Sequence, residues 1–567
     1  MIPARLILER RADATLDAPR LVAVLAVVLS VAVHAAVAWG SLTPVFALDE
    51  VVMVGNAKVA SGVGPTWQLR GAGFMPGLGM VLAPLWWLLG EAPLVYAAGV
   101  WIAAALGVAT VWPLARIVTR FGATPTTSVV IAALITIAPS RALLSNYLLS
   151  ESLMLFMLCW MVVAAMRWLD SPRAARSLLF GASVAGVVLA HGRGVAVAVA
   201  MGVWVLMRVR RDWWAPPLVA ATSGALLSVV AFVMYRWCSS QLFATDPRVS
   251  GTFGLASDAS PLDVAGVAAG QLWYLTLAWP LVGVLGMAAL LHRVRRDPLA
   301  GLLVLVAAAM LALSVYQFTP PFGPDRLDGW FYGRYVDPAW AVISAIGLAY
   351  AVRVRWPVVT ASTVGVTGAV GGAMMALTAP HVDVDEFWVS VHVLGVEPWL
   401  SLEAYADSVP QNWLWLAWLP TLLCALLGTL AFVRWWLLPV LGALWTGLTI
   451  TTDLSDVDVL AGDRSYVADP YHMSDLPPEA RIGADPELGQ DLNMLAFYSG
   501  SRSIAWVEGR DAPASVDVFY APFRVTSPEE HGARRLAGTE SEHVVGWVMP
   551  GPVQDELARD GQLVEAP

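Results

Sequence analysis

The chain has 567 residues, of which 58% are hydrophobic and only 14% are charged. This balance and a mean hydropathy of +0.65 exclude an ordinary water-soluble protein. The net charge of -9, with no basic patch along the chain, argues against a nucleic-acid partner.

Apolar stretches long enough to cross a bilayer recur from Leu21 almost to Thr451. Residues 1–20 form a cytoplasmic N-terminal segment, and the apolar run after them is interpreted as a retained first span because no small-residue cleavage site follows it. The predicted fold class is a membrane all-α polytopic bundle of about 13 transmembrane helices within residues 21–451. The predicted spans are approximately 21–40, 92–114, 126–139, 151–168, 177–191, 194–208, 216–235, 267–291, 298–317, 338–352, 357–379, 413–433 and 435–451.

Arginines that follow the apolar runs mark the cytoplasmic side and predict the orientation of the chain in an inner membrane. With this orientation, the longer loops face the outside, and the apolar stretch at 74–90 lies along or dips into the outer interface. Functional side chains are expected in the longer polar loops, and these loops lie on the predicted extracytoplasmic side. The predicted outer loops cover residues 41–91, 236–266, 318–337 and 380–412.

The composition changes after Thr451, and residues 452–567 predict a small extracytoplasmic α/β domain. Four short β-like runs, RIGAD, SIAWVE, VDVFYAP and HVVGWVM, occur there together with one helical stretch near Gln490–Tyr498.

The first outer loop contains adjacent acids, Asp49 and Glu50, followed by a helix-compatible run with Asn56 and Lys58. A carboxylate at the lipid–water boundary is suited to act as a general base toward an acceptor hydroxyl. Lys58 is the only lysine of the chain, and a compact ammonium suits a phosphate. Helix capping and a surface charge pair are the structural alternative for these residues.

A second polar group opens an otherwise apolar helix, with Arg141, Asn146 and Glu151. Ionisable groups at such a position are costly unless they are paired or line a polar cavity. Glu151 also suits a helix N-terminus, which is the structural alternative. Arg193, in the sequence His191-Gly192-Arg193, interrupts the next apolar stretch and is a candidate lining residue, with a polar turn as the structural alternative.

The densest polar cluster between spans lies at residues 325–337, with Asp325, Arg326, Asp328, Asp337 and the sequence Tyr-Gly-Arg-Tyr at 332–335. Arg334 between Tyr332 and Tyr335 suits a phosphate held at headgroup level, and an interfacial aromatic belt explains the tyrosines equally well. Two weaker candidates are the Gln-Leu-Trp-Tyr sequence at 271–274, which suits a sugar contact or a helix anchor, and the acidic stretch from His381, which suits a cation without a clear ligand geometry.

Together these residues resemble the GT-C superfamily of lipid-linked-sugar transferases, which includes protein O-mannosyltransferases and aminoarabinose transferases. The matching features are the Asp49-Glu50 pair, the Phe-Met-Pro-Gly-Leu segment at 74–78, the Arg141–Glu151 turn and the late Tyr-Gly-Arg-Tyr sequence. The resemblance covers about residues 20–350. The chain departs from the family where His-Pro-Pro is replaced by Phe74-Met75-Pro76.

The resemblance implies a membrane-embedded inverting glycosyltransferase, of the hexosyl or pentosyl class, that uses a polyprenyl-phosphate-linked sugar and a glycan, lipid or protein acceptor. A divalent cation is possible, and no metal ligands are assigned. The roles carried over are catalytic for Asp49, Glu50 and Glu151, donor-phosphate-binding for Lys58, Arg141 and Arg334, and substrate-lining for Asn56, Arg193, Tyr332 and Tyr335.

The sequence alone leaves two other classes of function open. A secondary transporter or lipid flippase needs ionisable groups near the bilayer midplane and two related halves, neither of which is clear in the sequence. A non-catalytic partner in envelope assembly is the third interpretation, and the intact acids of the first loop favour the enzyme over it.

Overall fold

The structure is a computed structural model of the whole chain. It describes residues 19–45, 48–63, 67–209, 214–243, 260–319, 327–353, 357–378, 390–399, 409–433, 436–464, 469–489, 491–500, 502–507, 515–539 and 544–564. The predicted cytoplasmic segment 1–20 lies almost wholly outside these residues.

Helices dominate the described chain up to residue 464, as the composition predicts. They are α1 (Arg20–Ala38), α2 (Glu50–Ser61), α3 (Gly77–Leu89), α4 (Ala92–Ala109), α5 (Val111–Arg120), α6 (Pro125–Thr136), α7 (Pro139–Ala142), α8 (Glu151–Asp170), α9 (Ala174–Ala190), α10 (Gly194–Leu206), α11 (Ala215–Leu242), α12 (Pro261–Ala278), α13 (Val282–Arg293), α14 (Pro298–Phe318), α15 (Leu327–Trp330), α16 (Asp337–Ala351), α17 (Pro357–Thr378), α18 (Val409–Ala431) and α19 (Leu437–Arg464).

The predicted count of about 13 spans is not confirmed by the described helices. Five of them are long and apolar enough to cross a membrane, or up to seven if each of two bent pairs is one span. The predicted span at 194–208 is α10, which has 13 residues and is therefore about 20 Å long, shorter than a hydrocarbon core of about 30 Å. Helix α3 also has 13 residues, which agrees with an interfacial helix at 74–90.

The predicted continuous span at 267–291 is two helices, α12 and α13, that meet at an angle of 110°. The break falls at Trp279-Pro280-Leu281, where proline cannot continue the helical hydrogen bonds and Leu281 has a φ of 65°. Apolar periodicity alone does not reveal such a bend. The break matters for the site because the Trp279 indole donates to Asp337, just after the Arg334 turn.

A second bend of 71° separates α6 from the short helical segment at 139–146, so the predicted span at 126–139 also ends early. Residue Pro139 opens the new segment, as expected for a proline at a helix start. This segment carries Arg141 and leads directly to Glu151 at the first position of α8.

Close helix packing fixes α16, the helix that follows the Arg334 turn. A Cβ atom on Gly347 would lie 1.8 Å from the Val282 carbonyl oxygen, and one on Gly286 would lie 2.0 Å from the Ile343 carbonyl oxygen. Small residues at both positions let the backbones of α13 and α16 approach, which is the usual way membrane helices associate.

The C-terminal region forms a five-stranded sheet in the order β2-β1-β3-β5-β4, in which β1, β2 and β3 are parallel and β5 is antiparallel to β3 and β4. Four of the strands lie in the four predicted β-like runs, and the predicted helix is present as Asp491–Tyr498. The elements are β1 (Ile482–Ala484), α20 (Asp491–Tyr498), β2 (Ile504–Trp506), β3 (Val518–Pro522), α21 (Ser527–Glu530), β4 (Arg534–Arg535), β5 (Val544–Val548) and α22 (Pro552–Arg559).

Helix α20 docks the C-terminal sheet region on the first loop of the helical region. The Asn493 side chain makes two hydrogen bonds to the Arg70 backbone, accepting from its N–H at 2.8 Å and donating to its carbonyl at 3.0 Å. Phe497 packs edge-on against Tyr96 of α4, with ring centroids 6.0 Å apart. The two regions are therefore joined by specific polar contacts and by shared apolar packing.

Candidate active site

A buried guanidinium, Arg334, joins two carboxylates from distant parts of the chain. Its Nη2 lies 2.8 Å from Asp49 Oδ2, and its Nε lies 2.7 Å from Glu151 Oε1. The side chains of Arg334 and Glu151 are each 2% exposed, whereas that of Asp49 is 21% exposed. Arg334 and Glu151 therefore form the buried part of this group, and Asp49 is its solvent-accessible edge.

The Asp49 side chain does not cap its own helix. Asp49 precedes α2, but its carboxylate makes no capping hydrogen bond, and its backbone is in the right-handed helical region. The structural alternative of helix capping therefore does not describe this residue. The carboxylate is directed across the molecule to Arg334 instead.

The neighbouring acid, Glu50, has a different environment. Its carboxylate is fully buried and accepts hydrogen bonds from the Tyr96 hydroxyl at 2.6 Å and from the backbone N–H groups of Leu148 and Val45, each at 2.8 Å. These contacts tie α4, the segment before α8 and the first loop together. Glu50 lies beside the site and holds the loop that presents Asp49.

His191 supports Glu151 from the other side. The Nδ1 atom of His191 accepts the backbone N–H of Arg193 at 3.0 Å, so the proton of a neutral imidazole is on Nε2. That Nε2 faces Glu151 Oε1 at 3.6 Å. The predicted polar turn at 191–193 thus lies against the acid of α8.

Aromatic rings form one wall of the site. Arg193 lies over the Tyr335 ring with 4.1 Å between its Cζ and the ring centroid, and it also donates to the Gln317 side chain. Tyr332 stacks on Phe318 at a centroid distance of 3.9 Å. Arg193, Tyr332, Tyr335 and Arg334 are therefore brought together.

Arg141 is in a separate buried network. Its Nη2 lies 2.6 Å from Asp337 Oδ2, and Asp337 also accepts the Trp279 indole N–H at 2.5 Å. Asp337 follows Arg334 by three residues, so the network fixes the start of α16. The prediction that Arg141 binds a donor phosphate is not tested by this placement.

Two predicted residues of α2, Asn56 and Lys58, have their recorded contacts with other parts of the chain. Asn56 donates to the Phe74 carbonyl at 3.2 Å, which holds α2 to the segment before α3. Lys58 donates to the Gly500 carbonyl at 2.8 Å and lies 4.5 Å from the Trp67 ring centroid. Burial lowers the pKa of Lys58 to about 8. These contacts make Lys58 part of the docking interface of the C-terminal region.

The sequence interpretation missed the contribution of the segment at 390–399. Its residue His392 lies 2.6 Å from the fully buried Asp328, and its carbonyl accepts the backbone N–H groups of Gly333 and Arg334. No spacing rule connects His392 with the loop at 325–337, because about 60 residues separate them and the contact depends on tertiary packing.

The weaker sequence candidates have mixed outcomes. Asp325, Arg326 and the acidic stretch at 381–388 lie outside the described residues. Within the described ranges, no group of three or more His, Cys, Asp or Glu side chains is arranged to hold a metal ion. In the sequence 271–274, the Tyr274 hydroxyl accepts the backbone N–H of Gly395 at 3.0 Å, which is an anchoring contact.

Comparison with solved structures identifies the architecture. ArnT from Cupriavidus metallidurans, solved with undecaprenyl phosphate, has a TM-score of 0.52 at 14% identity, over 93% of this chain and 98% of that one. ArnT is a GT-C glycosyltransferase. The chain has the GT-C fold.

Two further solved structures match the chain with lower TM-scores. They are the oligosaccharyltransferase AglB from Archaeoglobus fulgidus, at 14% identity with a TM-score of 0.40 over 94% of this chain and 74% of that one, and the arabinosyltransferase EmbB from Mycobacterium smegmatis, at 16% identity with 0.39 over 78% and 43%. No family model matches the sequence, and no curated protein matches it. The GT-C resemblance seen in the sequence is thus confirmed as a fold.

Proposed function

We propose that this chain is an inverting glycosyltransferase that moves a sugar, of the hexose or pentose class, from a polyprenyl-phosphate donor to an envelope acceptor. The observation that carries the proposal is the Asp49–Arg334–Glu151 group, with Asp49 at its accessible edge. Support comes from the GT-C fold and from the lipid found in the ArnT structure, undecaprenyl phosphate.

Arg334 is the donor-phosphate ligand in this proposal. Its Nη1 is buried and has no hydrogen-bond partner among the described residues. A buried guanidinium donor without an acceptor is costly, and a phosphate oxygen is an acceptor of matching charge. Arg193, whose Cζ lies 4.1 Å from the Tyr335 ring centroid, supplies a second positive charge to the same wall. Together the two arginines balance Asp49 and Glu151 in formal charge.

Asp49 is the general base in this proposal. A phosphate that binds Arg334 competes with Asp49 for the guanidinium, because both are anions within reach of one donor group. The released Asp49 carboxylate then accepts the proton of the acceptor hydroxyl while that oxygen bonds to the anomeric carbon. The bond from the anomeric carbon to the phosphate oxygen breaks, and polyprenyl phosphate leaves. Glu151 keeps Arg334 oriented throughout.

The acceptor and the side of the membrane complete the proposal. The arginine distribution predicts that Asp49 and Arg334 lie in extracytoplasmic loops of an inner-membrane protein, where a glycan, lipid or protein hydroxyl of the envelope is accessible. Tyr332 and Tyr335 are suited to contact the sugar ring, because aromatic faces pack on the apolar faces of sugars and their hydroxyls form hydrogen bonds.

Binding and transfer test this function together. The full chain in nanodiscs is titrated with undecaprenyl phosphate, and Arg334→Ala is expected to weaken binding about tenfold or more, since hydrogen bonds to charged groups contribute about 1.5–3 kcal/mol. Arg481→Ala is the matched control, because Arg481 pairs with Asp517 on the C-terminal sheet away from the site. Radiolabelled polyprenyl-phosphate sugars then test transfer in the same particles.

Three results would contradict the proposal. One is undecaprenyl phosphate binding that is equally weakened by Arg481→Ala and Arg334→Ala. Another is sugar transfer that survives Asp49→Ala. The third is ion-coupled uptake of a solute that is unaffected by Asp49→Ala, which would identify a secondary transporter.

A further inference from the structure

A partly exposed amide, Gln317, lies near the C-terminal end of α14 on a side of the helix whose preceding turns are buried. Met310 and Val306 precede it by seven and eleven residues, on nearly the same side, and are 0% and 1% exposed. The exposed Ala308 lies on the opposite side, nine residues before Gln317. The accessible surface of Gln317 therefore opens into the helical bundle and not toward lipid.

Arg193 fixes the orientation of this amide. The Arg193 guanidinium donates a hydrogen bond to Gln317 Oε1. Because a guanidinium has N–H donors and no acceptor, only the oxygen of the amide can face it. The Nε2 group of Gln317 therefore points away from Arg193, and it has no acceptor in the part of the chain that the structure describes.

The Arg193–Gln317 pair belongs to the aromatic wall that reaches Arg334. The Arg193 Cζ lies 4.1 Å from the centroid of the Tyr335 ring, and the Arg334 Cζ lies 5.2 Å from the same centroid. The Tyr335 hydroxyl is 3.5 Å from Arg334 Nη2. The ring of Phe318, the residue after Gln317, lies 6.0 Å from that of Tyr335. A ligand at Arg334 therefore extends to the pair along a single ring.

The donor of the proposed reaction brings oxygen atoms to this place. Its sugar is joined directly to the phosphate that Arg334 binds, so the sugar lies beside the Tyr335 ring. Hydroxyl, carboxylate and acetamido oxygens accept hydrogen bonds from an amide N–H, whereas an ammonium has only donors. Arg193 and the Nε2 group of Gln317 also have only donors. The pair therefore matches a sugar oxygen and opposes a sugar ammonium.

We propose that Gln317, oriented by Arg193, is a specificity-determining residue that donates a hydrogen bond to an oxygen of the donor sugar. The preferred substrate class is a neutral or acidic sugar on polyprenyl phosphate, and an amino sugar with a free ammonium is disfavoured. The inference rests on the proposed function and names the class of sugar that the same site accepts. Arg193 is a positioning residue for this contact, because it acts through the amide.

The test measures binding of lipid-linked sugars by the full chain in nanodiscs at neutral pH. The quantity compared is the affinity for an undecaprenyl-phosphate sugar divided by that for undecaprenyl phosphate, so that contacts of the phosphate cancel. Two matched pairs of sugars are used, glucose with glucosamine and arabinose with 4-amino-4-deoxyarabinose. In at least one pair, the wild-type chain is expected to give a ratio above one for the hydroxyl member and a lower ratio for the amino member.

Gln317→Glu separates the sugar contact from the support of Arg193. The new carboxylate still accepts from Arg193, but the N–H donors are lost and a negative charge is added. The ratio for the best-bound hydroxyl sugar is expected to fall about twofold to tenfold, the range of one hydrogen bond. The amino member of that pair is expected to gain about threefold or more relative to the hydroxyl member. A residue that only supports Arg193 would leave both ratios unchanged.

Two variants complete the design. Gln317→Met removes the amide without adding a charge, so it should lower the ratio for the hydroxyl sugar without favouring the amino sugar. This variant serves if Gln317→Glu does not fold. Gln68→Glu is the matched control, because it makes the same change at an exposed residue of the first loop. It is expected to give the wild-type ratios.

The outcomes separate this inference from the proposed function. Binding of undecaprenyl phosphate that depends on Arg334, with sugar ratios that Gln317→Glu and Gln317→Met leave unchanged, overturns the role of Gln317 and leaves the proposed function standing. A wild-type chain that binds none of these sugars more tightly than the bare lipid, or that prefers the amino sugars, has the same consequence. Undecaprenyl phosphate binding that does not depend on Arg334 overturns the proposed function and, with it, this inference.

A second phosphate is the other oxygen-rich group that could accept from the amide. Undecaprenyl diphosphate is therefore titrated beside undecaprenyl phosphate. A loss of affinity in Gln317→Glu that is confined to the diphosphate, with unchanged sugar ratios, would assign the amide to that phosphate and overturn the sugar contact.

Discussion

Two adjacent acids, Asp49 and Glu50, have opposite surroundings. Successive residues of a helix point about 100° apart, so the sequence could predict that this pair belongs to the site without deciding which acid has which partner. The structure directs Asp49 to Arg334, 285 residues away, and Glu50 to Tyr96 and the Leu148 backbone. Those partners depend on tertiary packing, which spacing rules do not contain.

Two conservative substitutions are expected to distinguish the role of Asp49 from that of Glu50. Asp49→Asn removes the proposed base and should lower transfer by about 10²–10⁴-fold. Thermal stability should change little, because the asparagine oxygen can still accept from Arg334, which also keeps its ion pair with Glu151. Glu50→Gln should lower the free energy of unfolding by about 1–3 kcal/mol, because three donors, two of them buried, lose a charged acceptor.

The measurements are transfer of a radiolabelled lipid-linked sugar and the thermal unfolding midpoint in detergent. Equal loss of transfer in both variants at unchanged stability would contradict this division of roles.

Among the secondary-structure elements, the strands of the C-terminal region were predicted correctly from the sequence, whereas the bounds of one membrane span were not. The four runs in the C-terminal region coincide with strands, since short alternating stretches bounded by turn residues have few other solutions. The prediction of one continuous span at 267–291 is wrong, because hydropathy does not reveal the 110° bend between the two helices at Pro280. The bend nevertheless serves the site, since it directs Trp279 to Asp337.

The docking of α20 on the first loop is expected to depend on Asn493. Replacing it with alanine removes two hydrogen bonds to the Arg70 backbone, of about 1 kcal/mol each, and should raise amide exchange around Arg70 about tenfold or more. Hydrogen exchange read by mass spectrometry measures this directly. Gln554→Ala is the matched control, since that amide bonds only within the C-terminal region in the described contacts.

Unchanged exchange near Arg70 in Asn493→Ala would show that apolar packing alone, such as that of Phe497 on Tyr96, holds the interface.

At the scale of the whole molecule, the composition predicts a membrane protein and the arginines predict its orientation. The GT-C fold agrees with the first prediction, and the orientation stays a prediction. The number of spans could not be predicted from apolar stretches, since several short helices such as α10 are apolar without being long enough to cross alone.

Orientation is tested by thiol labelling of single-cysteine variants in intact bacterial spheroplasts. The three natural cysteines are buried, and Leu42 and Arg296 are exposed on loops of predicted opposite sides. Leu42→Cys is expected to react with a membrane-impermeant maleimide from outside, and Arg296→Cys only after lysis. Labelling of Arg296→Cys alone in intact cells would reverse the orientation and place Asp49 in the cytosol.

The central claim is that Arg334, held between Asp49 and Glu151, binds the donor phosphate. The most direct measurement is a cryo-electron microscopy structure of the full chain in nanodiscs with undecaprenyl phosphate. The account predicts a phosphate oxygen within hydrogen-bond distance of Arg334 Nη1, with the Asp49 carboxylate displaced from the guanidinium. A phosphate bound elsewhere, with the Asp49–Arg334 ion pair intact, would contradict it.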